Sequence, residues 1–231
     1  MFSFIKSENM EKEKEDEKLW NKVYDNFEGS RPSVWRENAS PFFTSKIEYL
    51  KHLGFKSLLD AGCGDGRNII EFAKAGFEST GVDLSQSALD RCKKNCEGLN
   101  VKLEKQDLEK MDFKDGSFDV IICDFVTAHM ENPQKVMDEF HRLLKKGGYL
   151  LIEFTSTKDP HCGEGEKIGE NEFMQKGFYL RFYTNPQIEK LLQKFKIQII
   201  DSATYTDPDH GTGYNRKERH FHHSYFVAAI K

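Results

Sequence analysis

From residue 57 to residue 154 the chain alternates short apolar runs with amphipathic stretches of helical length, and few folds accommodate that pattern. The segments SLLDA (57–61), 77–83, 101–106, FDVIICD (118–124) and 149–154 read as strands, and 67–75, 85–96 and 133–144 read as helices. Strands separated by helices cannot pair as tight hairpins. They require right-handed crossovers and a mostly parallel sheet. FDVIICD is apolar on both faces, which predicts a central position with both sides covered. The fold class expected is therefore α/β, a doubly wound sheet with helices on both faces.

The flanks extend this core within one domain, a size that 231 residues suits. Residues 1–54 read as a helical cap segment. Its first 18 residues are Lys/Glu-rich, either frayed or a solvated helix, and carry no assigned function. Trp20, Tyr24, Phe27 and Trp35 follow as a lid or a piece of core, with a lid touching any bound ligand only slightly as the favoured reading. A helix is expected from Pro41 to Leu53, closed by Gly54. Residues 55–154 form the alternating core. Residues 155–184 are polar and Gly-rich, a lid-like insertion expected to order over the site when ligand binds, with Phe173, Phe178 and Tyr183 as apolar cover. Residues 185–231 supply a helix and the last strands.

Composition removes several classes of partner. The net charge of −4 provides no overall basic field, so nucleic acid is not the expected partner. No apolar run approaches the roughly 20 residues needed to span a bilayer, and the start lacks the pattern of a secretory signal. Five cysteines, odd in number and without a CxxC pair, read as reduced cytosolic thiols. Cys92 and Cys96, four apart on a helix, read either as half-buried thiols or as a pair able to meet on a metal or arsenic. His210, His220, His222 and His223 show no fixed ligand spacing, so no metal site is assigned.

The chemistry concentrates at the strand ends. DAGCGDGRN, from Asp60 to Asn68, follows an apolar strand and opens a helix, and glycines at such a turn let backbone approach a ligand closely. Dinucleotide folds use a similar turn, but here the spacing is GxGxG. Asp60 stands just before the loop and Asp65 inside it, beside Gly62, Cys63 and Gly64. Carboxylates there would repel a pyrophosphate but suit S-adenosylmethionine, which carries an ammonium and a sulfonium. Asp83, ending the second strand ahead of Leu84 and Ser85, stands about 20 residues beyond the first glycine, where an acid can accept from a ribose diol. Gln106, Asp107 and Leu108 end the third strand. Asp107 can accept from the adenine amino group while Leu84 and Leu108 sandwich the ring.

Together LLDAGCGDGRN, GVDLS, QDLEKMDF, FDVIICDFVTAHM and LLKKGGYLLI, in this order and spacing, resemble the class I S-adenosylmethionine-dependent methyltransferases from about Ser57 to Glu153. The resemblance implies a seven-stranded sheet of order 3-2-1-4-5-7-6 with the last strand antiparallel. It implies that Asp60, Gly62 and Gly64 border the methionine part of the cofactor, that Asp83 holds the ribose and Asp107 the adenine, and that Asp124 and Phe125 pass beneath the methionine group. Arg36 is placed to pair with the methionine carboxylate, although that region matches the family only loosely. Cys63, Asp65, Asn68, Ser85 and Gln106 complete the expected cofactor contacts.

Methyl transfer is an in-line displacement from an already activated leaving group, so positioning and water exclusion supply much of the rate. A hydroxyl or amine acceptor needs a base, whereas a thiol needs little beyond deprotonation. His129, Tyr183 and His210 are the candidate bases, with His129 read equally as a cap of the helix at Pro133. The expected acceptor is a small molecule. A protein or RNA acceptor, a non-catalytic cofactor binder and a nicotinamide oxidoreductase are the alternatives.

Overall fold

The computed structural model describes residues 2–27, 33–34, 38–207 and 220–231. A long helix α1 (Phe2–Asp25) opens the chain, in a segment rich in Glu and Lys and free of Gly and Pro. Two short helices follow, α2 (Pro41–Thr44) and α3 (Ile47–His52). The single helix expected over residues 41–53 is interrupted at Ser45 and Lys46. There the Thr44 and Ser45 hydroxyls donate to the carbonyls of Ser40 (3.2 Å) and Phe42 (3.1 Å), and such local bonds compete with regular helix.

The alternating core then runs β1 (Ser57–Ala61), α4 (Ile69–Lys74), β2 (Glu78–Asp83), α5 (Gln86–Asn95), β3 (Val101–Lys105), β4 (Phe118–Cys123), α6 (Pro133–Leu143) and β5 (Leu144–Thr155). Three short strands, β6 (Glu166–Gly169), β7 (Glu172–Gln175) and β8 (Phe178–Arg181), precede α7 (Asn185–Leu191), β9 (Lys196–Asp207) and β10 (His220–Ile230). The main sheet has the order β3-β2-β1-β4-β5-β10-β9, parallel from β3 through β5 and antiparallel where β10 joins β5 and β9. Numbered within that sheet alone, this is the expected 3-2-1-4-5-7-6.

β4 is central, as its composition predicts. Val120, Ile121, Ile122 and Cys123 are fully buried. Ile121 and Cys123 pack on one face with Val136, Met137 and Phe140 of α6, while Val120 and Ile122 pack on the other with Ile69 and Phe72 of α4. Burial of each such aliphatic side chain contributes about 1.5–3 kcal/mol, so both faces hold the sheet between the helices. Strand order reverses between β1 and β4. The crevice beyond the carboxyl ends at such a reversal is where ligands bind in open α/β sheets.

Residues 155–184 differ from the expected loose lid. β6, β7 and β8 form a three-stranded antiparallel meander of their own. Gln175 pairs with Phe178 around Lys176 and Gly177, whose φ angles of 52° and 88° make a two-residue turn of the kind that fits strand twist. Phe173, Phe178 and Phe182 are buried, with the Phe173 and Phe182 rings 5.9 Å apart. Ladder hydrogen bonds and three phenylalanines stabilise what few apolar residues alone would not. Among the described residues no helix is long and apolar enough to cross a membrane.

Candidate functional site

A cavity of 620 Å³ opens beyond the carboxyl ends of β1 to β5, within the usual ~300–1,000 Å³ of a small-molecule site. The glycine loop after β1 forms one wall. Gly62 and Gly64 adopt φ of 76° and 54°, and a Cβ on Gly62 would stand 2.4 Å from a methyl of Val126. The loop is tied to β2 twice over. Gly62 and Cys63 donate to the Val82 carbonyl at 2.8 and 2.9 Å, and Gly64 donates to Asp83 Oδ2 at 2.9 Å. Asp83 Oδ1 accepts the Ser85 amide at 2.9 Å. Burial raises the Asp83 pKa, opposed by these amides.

At the end of β4, Asp124 faces the start of α4. Arg67 pairs with Asp124 Oδ2, and Asn68 Nδ2 donates to the same oxygen at 2.9 Å. Asn68 Oδ1 accepts the Ser40 amide at 2.9 Å, which joins the N-terminal segment to this corner. Asp124 Oδ1 and Arg67 Nη1 are buried and have no hydrogen-bond partner among the described residues, although both side chains line the cavity. Unmet buried polar atoms are rare and demand an explanation. An acceptor and a donor side by side match the ammonium and carboxylate of an amino acid. Phe125, next in sequence, has φ 60°, an uncommon conformation for a bulky residue, and its ring lies 5.9 Å from the Arg67 guanidinium.

Leu84, Gln106, Asp107 and Leu108 line the cavity from the ends of β2 and β3. Asp107 Oδ1 accepts the Glu109 amide at 2.9 Å, and burial raises its pKa. The structure thus brings Gly62, Cys63, Gly64, Asp65, Asn68, Asp83, Leu84, Gln106, Asp107, Leu108, Asp124 and Phe125 to one wall. Two expected contacts lie off it. Asp60 is buried beneath the loop, pushed up to about 8 by burial and by Asp124, against the pull of Arg67. It is therefore largely protonated at neutral pH and is not the charged group its sequence position suggests. Ser85 is fully buried and caps α5, accepting the Ala88 amide at 3.1 Å while its hydroxyl donates to Asn21 Oδ1 at 2.8 Å. Arg36 lies outside the described residues.

Of the candidate bases, His129 lines the cavity in the short turn Thr127–His129. Its Nδ1 lies 3.0 Å from the Tyr179 carbonyl, which can only accept, so Nδ1 carries the proton. Burial lowers its pKa to about 4, opposed by that hydrogen bond, and the ring is neutral at pH 7. It does not cap α6, whose N-cap is Asn132. Tyr183 is 1% exposed and away from the cavity wall. Its hydroxyl donates to the Thr127 carbonyl at 2.9 Å, and burial raises its pKa, so its role is to brace the turn that carries His129. His210 lies outside the described residues.

Part of the wall comes from α1. Trp20 and Tyr24, expected as a lid from their helical spacing, line the cavity, and so do Asp16 and Leu19, which the sequence reading did not single out. Trp20 packs edge-on against His129 at 4.7 Å and, tilted, against Phe178 at 4.9 Å. Arg67 also belongs to the wall, as do Asp159, His161 and His222. Asp159 is buried, which opposes its ionisation. The side chains of His161 and His222 and the amides of His161 and His223 outweigh that and hold it well below the usual carboxylate range.

A methyltransferase-domain family model matches residues 59–152. The chain is 35% identical over 115 residues to a ubiquinone biosynthesis O-methyltransferase of Coxiella burnetii, a match covering 49% of each chain. It therefore spans about half the length of that relative. It is 30% identical over 175 residues to an uncharacterized protein of Methanocaldococcus jannaschii, covering 74% of this chain and 79% of that one. The fold superimposes on a SAM-dependent methyltransferase from Methanosarcina mazei with a TM-score of 0.68 at 19% identity, over 84% of this chain and 98% of the other. Residues 59–152 therefore form a methyltransferase domain, and the fold is that of the S-adenosylmethionine-dependent methyltransferases.

Proposed function

We propose that this protein methylates a small molecule that enters the cavity beneath the meander β6–β8. The observation that carries the reading is the unmet pair Asp124 Oδ1 and Arg67 Nη1 in the cavity wall. Those two atoms would take the ammonium and carboxylate of the methionine moiety, with Arg67 in the part expected of Arg36. Asp83 would accept from the ribose, since each carboxylate oxygen retains a lone pair after its backbone bond. Leu84 and Leu108 would flank the adenine, and Asp107 would accept from its amino group. When bound, S-adenosylmethionine supplies a methyl group on a positively charged sulfur.

The residues of the chain then do three things. The glycine loop and Phe125 fix the position of the methyl donor. Trp20, Phe178 and Tyr179 exclude water, which strengthens every polar contact inside. Neutral His129 accepts a proton from a hydroxyl or amine acceptor through Nε2 as transfer proceeds. A concave cavity of 620 Å³ and the relative's name, an O-methyltransferase of ubiquinone biosynthesis, both favour a small acceptor over a protein or RNA. The net charge of −4 argues the same against nucleic acid, and five unpaired cysteines suit the cytosol.

Calorimetry with S-adenosylhomocysteine tests the reading. Micromolar-class binding, about −8 kcal/mol, is expected, together with a loss of at least tenfold in Arg67→Ala. A mass-spectrometric screen of small hydroxylated and nitrogenous compounds should then yield a methylated product. Folded protein that binds no S-adenosylhomocysteine overturns the proposal.

A further inference from the structure

Asp159 lies in the turn that leaves β5, His161 stands two residues further on, and His222 comes from β10, more than sixty positions away. The Asp159 carboxylate, 3% exposed, is the meeting point. Its Oδ1 accepts the His161 amide at 2.9 Å and lies 2.7 Å from His161 Nδ1. Its Oδ2 accepts the His223 amide at 2.9 Å and lies 3.1 Å from His222 Nδ1. One donor atom from each of Asp159, His161 and His222 lies within 4.8 Å of the other two. The two imidazole centroids are 5.1 Å apart with their planes tilted by 33°. All three residues line the cavity together with Thr155 and Phe125, and the His222 ring stands 5.9 Å from that of Phe125.

Two imidazole nitrogens and one carboxylate oxygen on a single small volume are a donor set for divalent first-row transition ions, which bind N and O ligands at about 2.0–2.2 Å. Ligands at those bond lengths stand about 3.3 Å apart around a tetrahedral ion. The two Nδ1 atoms lie 2.7 and 3.1 Å from different oxygens of the carboxylate, so a small rotation of the carboxyl group and the rings is needed to gather one oxygen and both nitrogens around an ion. The backbone amides of His161 and His223 would remain on the carboxylate as the outer partners that orient it. We propose that Asp159, His161 and His222 form a binding site for a divalent transition-metal ion whose remaining positions face the cavity. Each imidazole binds through Nδ1 and carries its proton on Nε2. An acceptor hydroxyl on the ion would ionise more readily, its proton passing to Nε2 of His129, the base proposed above. That role at the acceptor rests on the methyltransferase reading, whereas the ion site itself does not.

This placement sorts the histidines that spacing alone could not. His222 joins Asp159 and His161, while His223, its neighbour on the strand, contributes its backbone amide to the carboxylate and its ring lies 5.9 Å from Tyr225.

The test uses the full chain stripped with a chelator and titrated with Zn²⁺ by calorimetry, and with Co²⁺ by visible absorption. One equivalent is expected, with cobalt bands of a nitrogen and oxygen site. His161→Gln and His222→Gln should each weaken binding by more than the ~10–100-fold that loss of an outer partner costs. Circular dichroism checks that both variants fold, and the two histidines, 12% and 13% exposed, are chosen over Asp159 because Asp159→Ala removes a carboxylate with four donors on it. No saturable binding by folded protein overturns the proposal, and so does an equivalent that persists unchanged in both variants. S-adenosylhomocysteine binding is measured on the same samples. Its loss with metal binding retained counts against the cofactor assignment and leaves the ion site standing.

Discussion

Asp83 Oδ2 accepts the Gly64 amide at 2.9 Å, so the carboxylate expected to hold the cofactor ribose also holds the loop that borders it. Oδ1 is engaged as well, by the Ser85 amide at 2.9 Å. Support for the loop and contact with ligand are therefore joined in one side chain. Asp83→Ala leaves two backbone donors without acceptors, at roughly 1–3 kcal/mol each where they are buried. Both thermal stability and S-adenosylhomocysteine affinity should fall. Asp83→Asn restores only one acceptor and turns an amide N–H toward a backbone N–H, so it should fall between the wild type and Asp83→Ala in both measurements. A variant with unchanged stability and lower affinity would assign Asp83 to the ligand alone.

Asp60 gives the protein a pH signature. Its pKa rises from 3.8 to about 8, chiefly through burial and then through Asp124. The native state therefore holds a proton that the unfolded chain has released between about pH 4 and pH 8. Stability contributed by that proton is fully present below the unfolded pKa and is lost as pH rises through the folded one. Buried neutral His129 contributes the opposite slope up to about pH 6.5, so the Asp60 signature is read as the difference between wild type and Asp60→Asn: the stability of the wild type relative to the variant should fall as pH rises from 5 to 8. An identical slope in the variant would assign the proton to another group.

His129 and Tyr183 were equal candidates in the sequence and separate by measurement. Tyr183→Phe removes one of the two hydrogen bonds on the buried Thr127 carbonyl, which keeps the Met130 amide at 3.2 Å, and should cost about 0.5–1.5 kcal/mol of stability with kcat within a few-fold of wild type. His129→Ala should lower kcat toward a hydroxyl or amine acceptor by about 10²–10⁴. Because burial lowers the His129 pKa to about 4, a rate that depends on its neutral form stays level from pH 8 down to pH 5 and declines only near pH 4. An acid limb near neutrality that disappears in another variant would move the base elsewhere.

Much of the fold was legible because each device was local. Five apolar runs spaced by helical lengths predict the parallel sheet, and the both-faced apolarity of FDVIICD places β4 at its centre. The glycine loop and the acids ending β2 and β3 were legible for the same reason, since strand ends of an open sheet converge. What stayed hidden depends on distant contact. Nothing in the spacing of Asp159, His161 and His222 announces that β10 returns beside the turn after β5. Nor does a Lys/Glu-rich start announce that α1 lies over the site, held by Asn21 against α5 and by Glu17 on Lys105 at 2.6 Å. Asp60 misled in another way. Its position in the motif indicates a charge, and only full burial beside Asp124 reveals that the charge is largely absent.

The meander yields the last expectation. The Lys176–Gly177 turn lacks the Asn-Gly or Asp-Gly signature of two-residue hairpins, which is why the sequence read as a loose lid. With φ of 52° at Lys176 and 88° at Gly177, both positions are left-handed, and a side chain there costs about 1–2 kcal/mol. Gly177→Ala should therefore loosen β7 against β8, while Lys176→Asn should tighten the turn. β7 pairs on both edges, and Phe178 packs on Trp20 at 4.9 Å. The β7 amides should thus be protected from hydrogen exchange before any ligand is added, with S-adenosylhomocysteine adding protection mainly at the glycine loop. In Gly177→Ala, exchange in residues 172–181 should quicken and the acceptor KM should rise, while cofactor affinity holds. Rapid exchange of β7 in the free wild type, slowed only by cofactor and acceptor together, would show that this segment folds on the ligand rather than before it.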